Sequence, residues 1–331
     1  MKTTTLGPGG PPCSRFGVGA MSFAGFYNET SETECHAVLD AAMAAGVTHI
    51  DTANVYGMGR SEQIIGTWLA ANPSLRHDVT IATKAALTRR DGARVFDNSL
   101  QHLEEELDNS LERLGTDYVD LFYVHRLDAN RPIEEVAGNL GELVLKGKAR
   151  TIGFSEIAPT SLRRAVSEHP VAAVQSEYSL ATRYPELGLV QTCAELGTAL
   201  VAFSPVGRSL LTDAPLDPKR VSKIDFLKTN PRFMEPNYSA NIAGTAPFRA
   251  LAADMGFPAA GLAIAWVMAQ GDHVIPIPGT GSLAHFKDVV RGADIDLSQD
   301  DIARIETVLP VGWAHGDRYT ADQWNGPEKY C

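Results

Sequence analysis

Val47-Thr-His-Ile-Asp51, the loop Thr52-Ala-Asn-Val-Tyr56-Gly57, an amphipathic run from Ser61 to Ala71 and then Val79-Thr-Ile-Ala-Thr-Lys84 form the stretch on which the fold turns. Two short segments rich in β-branched residues flank a run with helical spacing, which is the pattern of a β-α-β unit with parallel strands. The alternation extends in both directions. Upstream, a strand is predicted over Arg15 to Met21, and a helix opens at Ser31-Glu-Thr-Glu34, where Ser31 caps and Glu34 completes a capping box. That helix stops near Gly46, a natural left-handed terminator. Downstream, a long helix from Asn98 to Leu114 ends at Gly115, and further strands are predicted over Tyr118 to Val124, Ala149 to Phe154, Val171 to Gln175, Ala199 to Phe203 and Val274 to Pro278. A clear helix follows each strand but the last. The one after the seventh strand is delayed by a Pro-containing segment from Pro205 to about Asn237, and then come helices over Asn241 to Met255 and Pro258 to Gln270.

Eight such strands with no linker, low-complexity tract or composition shift between them predict one domain over residues 1 to 331, an α/β chain folded as a (β/α)8 TIM barrel. Residues 3 to 14 are left over as an N-terminal β-hairpin closing the barrel bottom, and a C-terminal tail is placed over the barrel mouth. The 331 residues are 44% hydrophobic and 21% charged, enough for a large core and incompatible with a disordered or collagen-like chain. A net charge of −11 repels a phosphate polyanion over most of the surface, so no nucleic-acid partner is expected. No apolar run approaches the roughly 18 residues of a membrane span, and the first ten residues lack a signal-peptide core. A cytoplasmic protein with no membrane partner is expected. Cys13, Cys35, Cys193 and Cys331 form no C-x-x-C pair, so reduced thiols and no metal site are expected.

A barrel of this kind draws its chemistry from the C-terminal ends of its strands and the loops beyond them. Strand two ends in Asp51-Thr-Ala-Asn-Val-Tyr56-Gly, strand three in Thr83-Lys84, strand four in Val124-His125-Arg126, strand five in Ser155-Glu156 and strand six in Gln175-Ser-Glu177. Singly, each has a bland structural reading: Asp51 as a turn cap, Tyr56 as loop packing, Lys84 as a solvated strand end, His125 as a satisfied core histidine. His49 keeps that reading, as a mid-strand side chain filling the interior. Asp, Tyr, Lys and His at consecutive strand ends facing one cavity form a reactive set instead.

These segments resemble the aldo-keto reductase superfamily over nearly the whole chain, with the bacterial and plant branch that carries His-Arg after strand four nearest. Asp51-Thr-Ala, Tyr56-Gly, Ala82-Thr-Lys84 and Tyr123-Val-His125-Arg126 match the family's catalytic tetrad in order. Gly153-Phe-Ser155-Glu156, Gln175-Ser-Glu-Tyr-Ser179, Phe203-Ser-Pro-Val-Gly207 and Ile277-Pro-Gly-Thr280 resemble its cofactor motifs. The resemblance implies reversible, NAD(P)H-dependent reduction of an aldehyde or ketone to an alcohol. Tyr56 would be the proton donor, Lys84 and Asp51 would support it, and His125 would hold the carbonyl oxygen. A phenol has a pKa near 10, so its neighbours must favour the phenolate. An ammonium at about 4 Å is worth roughly 4 kcal/mol at an effective dielectric near 20, some 3 pK units before compensation by Asp51.

The same resemblance assigns Ser155 and Gln175 to the nicotinamide carboxamide and Phe203 to stacking on the ring, with Ser204, Pro205, Gly207, Arg208, Pro278, Gly279, Thr280, Ser282 and His285 along the rest of the cofactor. The residues add an independent signal. Between Pro205 and Arg232 stand six basic side chains, Arg208, Lys219, Arg220, Lys223, Lys228 and Arg232, against Asp213, Asp217 and Asp225, reversing the balance of the chain and suggesting an anionic ligand. Gly279-Thr-Gly281-Ser-Leu-Ala284 fits G-x-G-x-x-G/A formally but falls too late for a Rossmann unit, so it is read as a helix start with amides for phosphate. Many relatives have basic residues at Gly281, Ser282 and His285, and Asn at Val289. In the family those basic groups hold the 2′-phosphate of NADP, and their absence here sets NAD(H) as a second cofactor beside NADP(H), the first.

The substrate is expected to be a small carbonyl compound or alcohol with an apolar body, bounded by the loop Ser22 to Tyr27, the region around Arg90 to Phe96 and the tail with Trp313, Tyr319 and Trp324. Phe23, Tyr56, His125, Arg126 and Trp313 are the named substrate contacts. Two other readings stand beside this one: a Schiff-base lyase using Lys84, and a regulatory or redox-sensing subunit that binds nicotinamide with little turnover. Homo-oligomer formation is left open.

Overall fold

The computed structural model describes residues 1–90 and 92–330; Asp91 and Cys331 lie outside the described residues. Strands β1 (Thr3–Thr5) and β2 (Pro12–Ser14) pair antiparallel as the expected hairpin. Parallel strands β3 (Gly17–Gly19), β4 (His49–Asp51), β5 (Thr80–Ala85), β8 (Val119–Val124), β9 (Ala149–Ser155), β10 (Val171–Glu177), β11 (Ala199–Phe203) and β12 (Val274–Pro276) follow one another in a single sheet. The seam between first and last is drawn together by the Gly19 N–H, which donates to the Pro278 carbonyl at 3.0 Å. Each predicted strand is found; Ala199–Phe203 has the predicted bounds and no end of the others is displaced by more than two residues.

The seam needs glycine. A Cβ on Gly19 would lie 2.7 Å from the Ile277 carbonyl oxygen, and one on Gly279 would lie 2.8 Å from that of Gly19. Inside the barrel, Ala82, Leu121, Tyr123, Ala173, Val201, Ile275 and Ile277 pack with Leu6 and Cys13 of the hairpin, which plugs the N-terminal end. His49 is wholly buried as a filler, and burial lowers its pKa so that it stays neutral.

Around the strands run α1 (Glu32–Ala44), α2 (Arg60–Ala71), α3 (Leu100–Leu114), α4 (Ile133–Leu145), α5 (Pro159–Glu168), α6 (Leu189–Leu196), α11 (Ala259–Met268) and α12 (Leu283–Val290). Ser31 and Glu34 form the predicted capping box of α1, and α3 ends on Gly115 in the left-handed conformation. A final helix, α13 (Gln299–Val308), leads into the tail.

Three features differ from expectation. A two-stranded hairpin, β6 (Leu87–Arg90) and β7 (Ala93–Phe96), rises from the end of β5. The single helix predicted from Asn241 breaks into α9 (Asn237–Gly244) and α10 (Ala246–Asp254), because Pro247 has no N–H to carry the hydrogen-bond ladder through. The segment after β11 is ordered by α7 (Pro218–Val221), α8 (Asp225–Lys228) and a small core of Leu210, Val221, Ile224, Leu227, Phe233 and Tyr238.

Among the described residues no single helix is long and apolar enough to cross a membrane. The bent pair Asn237–Asp254 and Ala259–Met268 that suffices by length and composition turns through 90°. Cys13, Cys35 and Cys193 are free, buried thiols, and no metal-ligating cluster occurs among the described residues.

Candidate active site

The C-terminal ends of the strands surround a cavity of about 270 Å³ lined by Asp51, Tyr56, His125, Arg126, Ser155, Gln175, Phe203, Ser204, Pro205, Arg208, Pro278 and Gly279 among others. Beneath its floor Lys84 is completely buried. Its ammonium donates to Asp51 Oδ1 and, at 2.6 Å, to the Thr52 carbonyl, while its Nζ lies 5.3 Å from the centre of the Tyr56 ring. Tyr56 and His125 meet edge to face with centroids 5.9 Å apart. The tetrad converges because parallel strands in register bring successive strand ends to one rim: Asp51 pairs with Ala82, and Lys84 with Tyr123.

Burial raises the Tyr56 pKa above its ordinary 10.0; the Lys84 charge opposes the rise and Asp51 adds to it. The net direction is opposite to the expected depression, since removing a phenolate from water outweighs one nearby ammonium already shared with a carboxylate. His125 is held well below 6.5, first by burial and then by the charges of Arg126, Lys84 and Arg94. At neutral pH the site therefore presents a protonated phenol and a neutral imidazole.

Gln175 donates an amide N–H to Asp51 Oδ2 at 2.7 Å, and Ser155 Oγ accepts from Arg126 Nη1 at 3.1 Å. Gln175 thus retains its C=O for a ligand. The loop after β11 reaches the cavity through strained backbone, with Ser204, Arg208 and Ser209 at φ of 51°, 54° and 87°.

Several predicted residues lie elsewhere. Phe23 is wholly buried in the main core, and Phe26 and Tyr27 face the cavity in its place. Trp313 donates its indole N–H to the Leu180 carbonyl at 2.7 Å and packs beside Gly244, outside the cavity; Tyr319 and Gln323 are the tail residues that line it. Gly207, Thr280, Ser282 and His285 are not in the lining: Ser282 caps α12 by accepting from the His285 N–H, and Thr280 accepts from the Ser282 N–H.

The basic segment is also less free than its composition suggests. Arg208 pairs with buried Glu177 at 2.7 Å, Arg232 bonds Thr182 Oγ1 at 2.9 Å beside the same carboxylate, and Lys228 pairs with Asp225. Sequence reasoning missed Arg318, whose guanidinium pairs with Glu156 and approaches Glu177 at 3.5 Å. It missed the hairpin too, although Asp91-Gly92 between Leu87-Thr-Arg-Arg and Ala-Arg-Val-Phe96 is a two-residue hairpin signal.

Known proteins align with this architecture throughout. The model of the Aldo/keto reductase family matches residues 15–310. Aldo-keto reductase str7 of Strobilurus tenacellus is 38% identical over 314 residues, covering 92% of this chain and 91% of that one. Aldo-keto reductase yakc [NADP(+)] of Schizosaccharomyces pombe is 34% identical over 308 residues, covering 92% and 90%. Among solved structures, the glycerol dehydrogenase AKR11B4 from Gluconobacter oxydans superposes with a TM-score of 0.80 at 26% identity, over 93% of this chain and 94% of that one. A barrel whose strand ends bring these side chains to one mouth, in a sequence matched from the first barrel strand to beyond the last, is an oxidoreductase: the chain belongs to the aldo/keto reductase family.

Proposed function

We propose that the enzyme reduces an aldehyde or ketone to the alcohol, reversibly, with Tyr56 as proton donor and a nicotinamide dinucleotide as partner in hydride transfer. The observation that carries this reading is the convergence of Tyr56, Lys84, Asp51 and His125 on one cavity. The cavity's own donor set fits the cofactor: Phe203 offers a flat aromatic face, Gln175 an unspent amide C=O, and Ser155 a hydroxyl. When bound, the reduced nicotinamide supplies hydride. NADP(H) is the first choice, supported by the name of the fission-yeast relative, with NAD(H) second because Arg208 is already paired.

The protein's part is positioning and proton delivery. His125, neutral at working pH, donates a hydrogen bond to the carbonyl oxygen, and Tyr56, kept protonated by burial, releases its proton as charge builds on that oxygen. The buried Lys84 ammonium stabilises the phenolate left behind, while Asp51 and the Thr52 carbonyl hold the ammonium in place. A Schiff-base lyase needs a neutral, reachable amine, and Lys84 is buried and bonded to a carboxylate. The intact tetrad weighs against a purely regulatory subunit.

The test is NADPH and NADH oxidation with a panel of aldehydes and ketones, alongside fluorescence titration of both cofactors. Tyr56→Phe is expected to lower kcat by about 10²-fold or more with cofactor affinity retained. Wild-type turnover in the Phe variant would remove Tyr56 from the role.

A further inference from the structure

The arginines of the mouth fall into two groups. Arg208 and Arg318 face buried carboxylates, and Arg232 lies beside Glu177. Arg126 does not: it lines the cavity next to His125, and its bonds go to neutral acceptors, the His125 carbonyl at 2.6 Å, Ser155 Oγ at 3.1 Å and the Tyr319 hydroxyl at 3.4 Å. Glu156 feels its charge, but makes its direct ion pair with Arg318. Three of the guanidinium's five N–H groups are used, leaving Nε–H and one Nη2–H.

Arg94, on β7, is exposed and stands outside the cavity lining, on the same side of the mouth. Its guanidinium lies 5.3 Å from the Phe96 ring centre, and Phe96 and the Arg126 side chain close from two sides on Gly326 of the tail. Its charge reaches both Arg126 and His125. Among the described residues no carboxylate forms an ion pair with either arginine. In a chain of net charge −11, an exposed guanidinium on β7 and a cavity-lining one beside His125, neither with an acidic partner among the described residues, make this side of the mouth attractive to an anion.

Resting on the reductase reading above, we propose that the substrate is an oxo acid, a carbonyl compound whose carboxylate binds Arg126 and Arg94 while its carbonyl lies at Tyr56 and His125. Phe26, Tyr27 and Phe226 supply the apolar wall for the body between the two ends. The carboxylate is a spectator. The carbonyl carbon takes hydride, two electrons, from the reduced nicotinamide, which is oxidised, and the oxygen takes the Tyr56 proton, leaving the hydroxy acid.

The experiment compares 4-formylbenzoate with its methyl ester, which has the same body and aldehyde but no charge. The acid is expected to exceed the ester by tenfold or more in kcat/KM, chiefly through KM, with the ratio falling as salt rises. Arg126→Gln and Arg94→Gln are each expected to cut that ratio several-fold. Calorimetric binding of 4-(hydroxymethyl)benzoate against its methyl ester, with no turnover, should show the same order and the same loss. Equal rates and affinities for acid and ester would overturn the oxo-acid inference and leave the reductase intact. A retained binding preference with no aldehyde reduced by the wild type would overturn the reductase reading and leave the anion subsite standing.

Discussion

Lys84 and Asp51 form a buried ion pair beneath the proposed proton donor. Lys84 is wholly buried and the Asp51 side chain only 3% exposed, so each is tolerable only because the other is there, and the Thr52 carbonyl and Gln175 amide take up further bonding capacity. Lys84→Met should cost about 3–5 kcal/mol in denaturant unfolding, because Asp51 is then stranded, and adding Asp51→Asn should recover part of the loss. The same residues fix a pH profile. His125 has a depressed pKa, so it keeps its neutral, singly donating form above its ordinary 6.5, and no break from its titration is expected there. Tyr56 must be protonated and its pKa is raised, so base reduces activity only above its ordinary 10.0. A plot of kcat/KM for reduction at saturating cofactor is expected to stay level between those values; a break near pH 8 would contradict the assignment.

At the scale of elements, α5 begins without a side-chain cap of its own, since its N-cap is Ala158. Glu328 supplies one from the tail, accepting from the Ala158 N–H at 2.7 Å and the Ser161 hydroxyl at 2.8 Å. Glu328→Ala is expected to lower unfolding free energy by roughly 1–2 kcal/mol and to speed proteolytic cleavage of the tail, read by thermal melts and limited trypsin digestion. Such long-range pairings are what the sequence hides. That Asp51, Tyr56, Lys84 and His125 meet at one mouth was legible because strand ends repeat at intervals set by the β-α unit. Phe23 and Phe26 could not be told apart, because a 3₁₀ turn at Ala20–Ala24 decides which ring faces inward. Likewise the six basic residues between Pro205 and Arg232 were visible, but not that Glu177, far upstream, absorbs Arg208 and draws in Arg232.

For the whole molecule, closure of the sheet is the controlling event, and it rests on backbone meeting backbone where β3 reaches the segment beyond β12. Gly19 sits at φ −83°, accessible to any residue, so its replacement tests the close approach alone. Gly19→Ala drives a methyl toward the Ile277 oxygen, which cannot swing aside as a side chain can. A loss of about 1–3 kcal/mol is expected, with faster hydrogen exchange along β3 and β12 than along β8 and β9.

The tail's grip on the barrel has a consequence for how the enzyme comes into being. Positions 51 to 125, which hold the reactive groups, leave the ribosome long before Arg318 and Glu328 do, yet the latter residues secure Glu156 and the start of α5 across as many as 170 positions of chain. A nascent polypeptide can therefore carry a nearly assembled barrel with an unroofed mouth, and competence should appear only once Arg318 and Glu328 have emerged and docked.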